Sequence, residues 1–151
     1  MINFNKILPN FQSLREIGTD KRLAKFGDII TNMAYSLAIT ASKGEIDAKK
    51  VSKKILSNAL KKAKMKKYAK KRPNSHDMAN TVEAFLGYMY LYEHWGIEKM
   101  AKILIKILNH YNFEIYKEEI DGSIQAFSQL LQIILKKIGS EFKSANQKDE
   151  K

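Results

Sequence analysis

The chain has 151 residues, enough for one domain with its own core, and 27 Lys and Arg against 16 Asp and Glu give it a formal net charge of +11. It contains no cysteine, which excludes disulfide frameworks, thiolate zinc sites and cysteine nucleophiles and favours a reducing cytoplasm. The first residues lack the layout of a signal peptide, and no apolar run approaches the roughly 20 residues that span a bilayer, so we expect a cytoplasmic protein without a membrane partner.

The predicted elements are all helical, because Pro and Gly are sparse and no long run alternates apolar with polar residues. An entry segment over residues 1–18 has a short apolar face and stops at Gly18. The next helix is capped by Thr19 or Asp20 and ends at Gly44. Its apolar positions recur at three and four, so we expect that face to be buried: Leu23, Phe26, Ile30, Met33 and Leu37.

Residues 45–71 are predicted to be basic and helical, in two or three pieces. We expect the lysines to face outward and five apolar side chains to face the core: Val51, Ile55, Leu56, Leu60 and Met65. Residues 49–72 hold twelve basic residues and no acidic one. A localised patch of this kind neutralises phosphates and steers polyanions, which favours contact with nucleic acid. A solvated lysine-rich surface without a ligand is the alternative.

Three more helices are predicted in the second half of the chain. Ser75 is expected to cap a central apolar helix, a further helix covers about 98–109, and the last one restarts at Gly122 and its neighbours. The seam of this last helix could pack on its own bundle or on a second subunit. The pattern as a whole predicts an all-α, single-domain helical bundle over 1–142 with a flexible charged tail over 143–151.

Two predicted helices each carry a face of small residues with one carboxylate: Ala24, Gly27 and Asp28 on the first, and Ala79, Asn80, Glu83 and Gly87 on the central helix. Such faces can approach to about 8 Å between helix axes, which would make Asp28 and Glu83 neighbours. A divalent ion is a common way to neutralise two such carboxylates, and Asn80 could add an oxygen or hold a water. Alternatively, Asp28 pairs with Lys21 or Lys25, and Glu83 pairs with another lysine.

Residues 22–28 (RLAKFGD) and 81–91 (TVEAFLGYMYL) resemble the two signature stretches of the ribonuclease III endonuclease domain. The first is similar to the family's Leu-Glu-Phe-Leu-Gly-Asp motif. The second is similar to its Asp-x-x-Glu-Ala run, followed by an apolar Gly-x-x-Tyr-Leu segment. The resemblance covers about 19–95, and it implies the helical fold of that domain with Asp28 and Glu83 as metal-binding catalytic residues.

Two positions depart from the full family pattern. Ala24 stands where the family usually has glutamate, and Asn80 stands where it has the second-motif aspartate. The Mini-III branch also reads Leu-Ala before its Gly-Asp, lacks the second aspartate and has no separate double-stranded-RNA-binding domain. The chain is therefore most similar to the minimal Mini-III type, with an archaeal-type relative as the alternative.

The resemblance implies a Mg²⁺-dependent endoribonuclease, with Mn²⁺ as an alternative ion, that cuts double-stranded RNA as a homodimer. The metal would be held by Asp28, Glu83 and Asn80, and an activated water would attack the phosphodiester in line. A-form RNA is read through phosphates and 2′-hydroxyls, so eight basic residues are our candidates for contact with it: Lys61, Lys62, Lys64, Lys66, Lys67, Lys70, Lys71 and Arg72. The alternatives are a catalytically silent RNA-binding or ribosome-associated protein of the same fold, and a helical protein-interaction module.

Overall fold

Six α-helices and one short 3₁₀ helix make up the described part of the chain. The structure, a computed structural model, describes the backbone of residues 2–149 and the side chains of residues 2–142. The helices are α1 (Leu14–Gly18), α2 (Lys21–Lys43), α3 (Lys53–Lys62), the 3₁₀ helix (Lys66–Tyr68), α4 (Ser75–Tyr92), α5 (Ile97–Leu108) and α6 (Tyr116–Asp149). No strand occurs among the described residues, so the all-α prediction is confirmed. Within residues 2–149, none of these helices has the length and apolar character needed to cross a membrane.

Helix α4 lies at the centre of the bundle and packs most extensively against α2. Three of its large side chains, Phe85, Leu86 and Met89, have no exposed surface, and burying each one contributes about 1.5–3 kcal/mol. Helices α3, α5 and α6 complete the enclosure. The seam of α6 packs inside the bundle, because its residues Phe127, Leu131, Ile134 and Ile138 are fully buried in this one chain.

Glycines allow α2 and α4 to meet at van der Waals distance of their backbones. A Cβ atom on Gly27 would lie 1.7 Å from the carbonyl oxygen of Glu83, and one on Gly87 would lie 2.7 Å from the carbonyl oxygen of Leu23. No side chain larger than hydrogen fits at either place without displacing a helix backbone. The predicted approach of the two small-residue faces is therefore confirmed.

The predicted buried face of α2 is only partly right. Leu23 and Ile30 are buried, but Phe26, Met33 and Leu37 are 37%, 52% and 39% exposed. Because the glycine contact turns the small-residue face of α2 toward α4, these larger apolar side chains are rotated away from the core. Together with Ile29, which is 70% exposed, they form an apolar stripe along the outside of α2.

The basic region after α2 is less helical than predicted. Only Lys53–Lys62 and the 3₁₀ helix Lys66–Tyr68 are helical, while residues 45–52 form a loop against α2. Ser36 Oγ accepts from the Lys49 backbone nitrogen at 3.0 Å and donates to its carbonyl at 3.1 Å. Hydroxyl groups on α2 thus form hydrogen bonds with backbone groups of this loop, which in a helix would be hydrogen-bonded to each other. The five predicted core residues of this region are buried, as expected.

Two predicted helix starts differ from those observed. Asn74, not Ser75, caps α4, with its side chain and that of Asp77 forming a reciprocal capping box. Helix α6 begins at Tyr116 and passes through Gly122, which packs against the ring of Tyr111. The N-cap of α2 at Asp20 and its left-handed end at Gly44 are as predicted.

The end of helix α6 overlaps the predicted charged tail. Its backbone is helical as far as Asp149, so residues 143–149 continue the last helix. The side chains of residues 143–151 lie outside the described part of the chain, and a tail boundary at residue 143 stays a prediction.

Candidate active site

Asp28 of α2 and Glu83 of α4 meet beside the glycine contact. Their carboxyl groups lie within hydrogen-bonding contact of each other. Glu83 is only 7% exposed, whereas Asp28 is half-buried and opens to a groove of about 610 Å³. We call this the carboxylate groove; among the residues that line it are Ala24, Lys25, Asp28, Asn80 and Glu83. The predicted neighbourhood of the two acids is therefore observed.

The environment of Glu83 disfavours its charged form. Burial, and then the nearby charge and hydrogen bond of Asp28, raise the pKa of the Glu83 carboxyl to about 8, although Lys50 and Lys53 act in the opposite direction. In the absence of a cation, the Glu83 carboxyl therefore keeps its proton at neutral pH. Among the described residues, neither carboxylate takes part in an ion pair with Lys or Arg, so the alternative pairing of Asp28 with Lys21 or Lys25 is not what the structure shows.

Asn32 orients the Asp28 side chain, a role that the sequence analysis missed. Its Nδ2 donates to Asp28 Oδ1 at 3.0 Å and to the Asp28 carbonyl oxygen at 2.9 Å. Its Oδ1 accepts from the backbone nitrogen of Val51 at 2.8 Å. The amide therefore ties the carboxylate pair to the loop before α3. The sequence offered one sign of this contact, an Asn four residues after an Asp on one predicted helix. That pattern is weak on its own.

Other polar side chains complete the wall of the carboxylate groove. His76 lines it, and its Nδ1 is in close contact with Lys53 Nζ. Lys70 reaches Asp77 Oδ1 at 3.4 Å, and the backbone hydrogen bond in the α4 cap, followed by Lys70, lowers the pKa of the Asp77 carboxyl. Asn80 is half-buried one turn before Glu83 and lines the same groove.

The eight basic residues predicted to contact RNA all have exposed side chains. They occupy the end of α3, the 3₁₀ helix and the turn before α4, a stretch that we call the basic segment (residues 61–72). Lys70 is the member that lines the carboxylate groove. Two members, Lys64 and Arg72, have left-handed backbones with φ of 60° and 52°, so the segment changes direction at these positions.

Few protein ligands are available to a metal ion in this groove. Among the described residues, no group of three or more His, Asp or Glu side chains could hold one. What remains is the pair Asp28 and Glu83 with the amide of Asn80. A site of this composition suits an ion that keeps several waters and binds phosphates directly.

These features define an all-helical domain with a partly buried carboxyl pair where two glycine-bearing helices cross, next to a strongly basic segment. A family model described as Ribonuclease III matches residues 21–140, which is well over half of the chain and includes both carboxylates. The protein belongs to the ribonuclease III family, and this membership supports a role as a nuclease in RNA processing. A comparison with curated proteins gave no match.

Proposed function

We propose that the protein is a divalent-metal-dependent endoribonuclease that cleaves double-stranded or structured RNA, with Asp28 and Glu83 as its catalytic residues. The contact between these two carboxyl groups in an open groove is the observation that carries the proposal. A pair of acids with no neighbouring cation within ion-pair distance among the described residues is costly for a domain to keep without a ligand.

The carboxyl pair fits Mg²⁺, or Mn²⁺ in its place. Asp28 and Glu83 would supply oxygen ligands, and Asn80 would add its carbonyl oxygen or hold a bound water. Mg²⁺ often binds proteins through only one or two carboxylates together with waters and substrate phosphates, which matches the small ligand set here. When bound, the ion supplies the charge that activates a water and stabilises the leaving oxygen of a phosphodiester.

The side chains around the pair have separate tasks in this proposal. Asp28, held by Asn32, presents its side chain to the groove, while Glu83 would lose its proton to become a ligand for the cation. The eight candidates in the basic segment contact the phosphates of the duplex. Because A-form RNA presents its backbone and 2′-hydroxyls more readily than its base edges, exposed lysines suit such a substrate.

The apolar stripe on α2 supports a homodimer in this proposal. Phe26, Ile29, Met33 and Leu37 are exposed on one helix, and the ring of Phe26 lies 5.9 Å from that of Tyr90 on α4, which widens the patch. A second copy of the chain is the occupant we infer. A two-fold contact through α2 would give the assembly two carboxylate pairs, one for each strand of a duplex.

Cleavage of a structured RNA duplex by the purified protein and Mg²⁺ tests the proposal. Asp28→Asn and Glu83→Gln should abolish cutting while duplex binding remains close to that of the wild type, because each change removes a ligand charge and keeps the side-chain shape. Glu98→Gln, on the exposed first turn of α5, is a matched control that should cut normally. Cutting that persists in both site variants would contradict the assignment. Binding without cutting in the wild type would favour the catalytically silent RNA-binding alternative.

A further inference from the structure

A second groove, of about 790 Å³, lies between α1, the 3₁₀ helix and the part of α6 near residues 132–142. Its described lining includes three cations, each from a different element: Arg15, Lys67 and Lys136. No Asp or Glu is among the described residues that line it. All three cationic side chains are exposed, and none forms an ion pair with another described residue. Three uncompensated charges therefore face one cavity.

The carboxylate groove lacks such an excess of positive charge. Its lining contains three lysines and four acids: Lys21, Lys25, Lys70, Asp20, Asp28, Asp77 and Glu83. The positive groups do not outnumber the acids, so without a bound cation this groove alone does not attract a polyanion. The attraction that holds a nucleic acid must come from surfaces beside it.

The two grooves are neighbours at a backbone contact between α1 and the 3₁₀ helix. Gly18 lines the carboxylate groove, and Tyr68 lines the second one. The carbonyl oxygen of Tyr68 lies 2.2 Å from the position that a Cβ on Gly18 would occupy, so these two segments pack backbone to backbone. The linings of the two grooves therefore meet at this contact.

The wall between the grooves is anchored in the core. The ring of Tyr68 packs edge-on against the fully buried Phe85, with centroids 6.1 Å apart. Lys67 Nζ lies 5.4 Å from the centre of the Tyr68 ring, which holds this cation at the rim. Gln132, exposed on α6, adds an amide that can hydrogen-bond a 2′-hydroxyl. The groove therefore offers fixed positive charge with a polar group for a ribose.

We propose that the second groove, through Arg15, Lys67 and Lys136, binds the sugar-phosphate backbone of RNA beyond the cleavage site. The proposal takes its class of ligand from the proposed function. It assigns to α1 and α6 a share of RNA binding that the lysine-rich stretch alone would not suggest. Each contacted phosphate releases counterions, so removing contacts lowers the salt dependence of binding as well as the affinity.

The test compares the double variant Arg15→Gln/Lys136→Gln with a matched control, Lys102→Gln/Lys106→Gln. The control removes two exposed positive charges from α5, which contributes no lining residue to either groove. Binding of a long RNA duplex is measured without divalent ions over a range of salt concentrations. We expect the slope of log affinity against log salt to fall by about two in the groove variant, and to stay near the wild-type value in the control.

Cleavage of the same duplex with Mg²⁺ separates this proposal from the proposed function. A groove variant with a raised KM and an unchanged kcat supports a binding role outside the chemistry. Equal salt slopes for groove variant and control, or no duplex binding by the wild type, would overturn the groove proposal. If the wild type binds but does not cut, the proposed endonuclease activity fails while the salt slopes still decide the role of the groove.

Discussion

Gly27 of α2 and Gly87 of α4 lie against each other with no side chain between them. A Cβ on Gly87 would stand 3.2 Å from the Gly27 nitrogen, and one on Gly27 would stand 3.1 Å from the Gly87 nitrogen. Asp28 directly follows the first glycine, and Glu83 comes one helical turn before the second. The same glycine contact therefore sets both the distance between the two helices and the distance between the two carboxyl groups.

Gly27→Ala should destabilise the protein and displace Glu83. In a helix interior alanine normally gains about 1 kcal/mol over glycine, but here the new methyl would overlap the Glu83 carbonyl oxygen at 1.7 Å. Overpacking against backbone should reverse the sign and cost about 3 kcal/mol, measured by urea unfolding. Gly139→Ala in α6 is the control: among the described side chains its Cβ would meet only Leu135, at an ordinary 3.4 Å, so it should be neutral or stabilising. Equal effects at the two positions would contradict the close contact.

Stability should fall with rising pH because of Glu83. Between the ordinary value of 4.5 and the folded pKa of about 8, the folded state keeps a proton that the unfolded state has released. The free energy of unfolding therefore decreases across this window by about 1.4 kcal/mol per pH unit for a full proton, and the loss is complete above the folded pKa.

In the variant Glu83→Gln the side chain at residue 83 cannot ionise. A comparison of this variant with the wild type therefore isolates the effect of Glu83 from that of other titrating groups. The difference in unfolding free energy between wild type and variant should change across the window and be flat below it, measured in metal-free urea titrations at several pH values. Saturating Mg²⁺ should reduce the pH dependence of the wild type, because a bound cation favours the ionised pair. Curves that remain parallel for the two proteins at every pH would show that Glu83 is not shifted.

Asn32→Ala should weaken metal binding, because Asp28 would lose the amide that orients it and the tie to Val51. Loss of such an outer partner typically costs about 10-fold or more in metal affinity, which Mn²⁺ titration followed by electron paramagnetic resonance can measure. Asn58→Ala is a matched control: Asn58 Nδ2 also donates to a carbonyl four residues earlier, at 2.9 Å, without contacting a carboxylate. Equal Mn²⁺ affinities for the two variants would remove Asn32 from the site.

Met33→Lys should dissociate the proposed homodimer. The side chain is 52% exposed in the single chain, and a lysine within an apolar interface would bury an unpaired charge, at a cost of about 2 kcal/mol or more. Sedimentation velocity over a concentration series gives the result directly. Ile46→Lys, at a 95% exposed position in the loop after α2, should leave the dimer intact. A wild type that remains monomeric at every concentration would contradict the proposal.

Much of the fold was predictable because local patterns decide it. The helix α2 begins at the Asp20 cap and ends at Gly44, both of which act through their own backbone neighbours. The two carboxylates on small-residue faces were also visible, since helical spacing fixes which residues share a face. Boundaries failed where a longer-range partner intervened. Residues 45–52 are a loop because hydroxyls of α2 bind their backbone, and Gly122 lies inside α6, where the ring of Tyr111 packs against it.

The sequence by itself determined that α2 and α4 could approach closely, since that requires only glycine and alanine at the right spacing. It also determined that each of the two helices carries one acid on this face. The tertiary structure decided the rotation of α2: the backbone contact at Gly27 directs Phe26 and Met33 outward, although their spacing alone predicts burial. It also decided the setting of Glu83, whose raised pKa depends on burial by other helices and on the charge of Asp28. Periodicity describes one helix at a time, whereas desolvation and the choice of buried face depend on what packs against it.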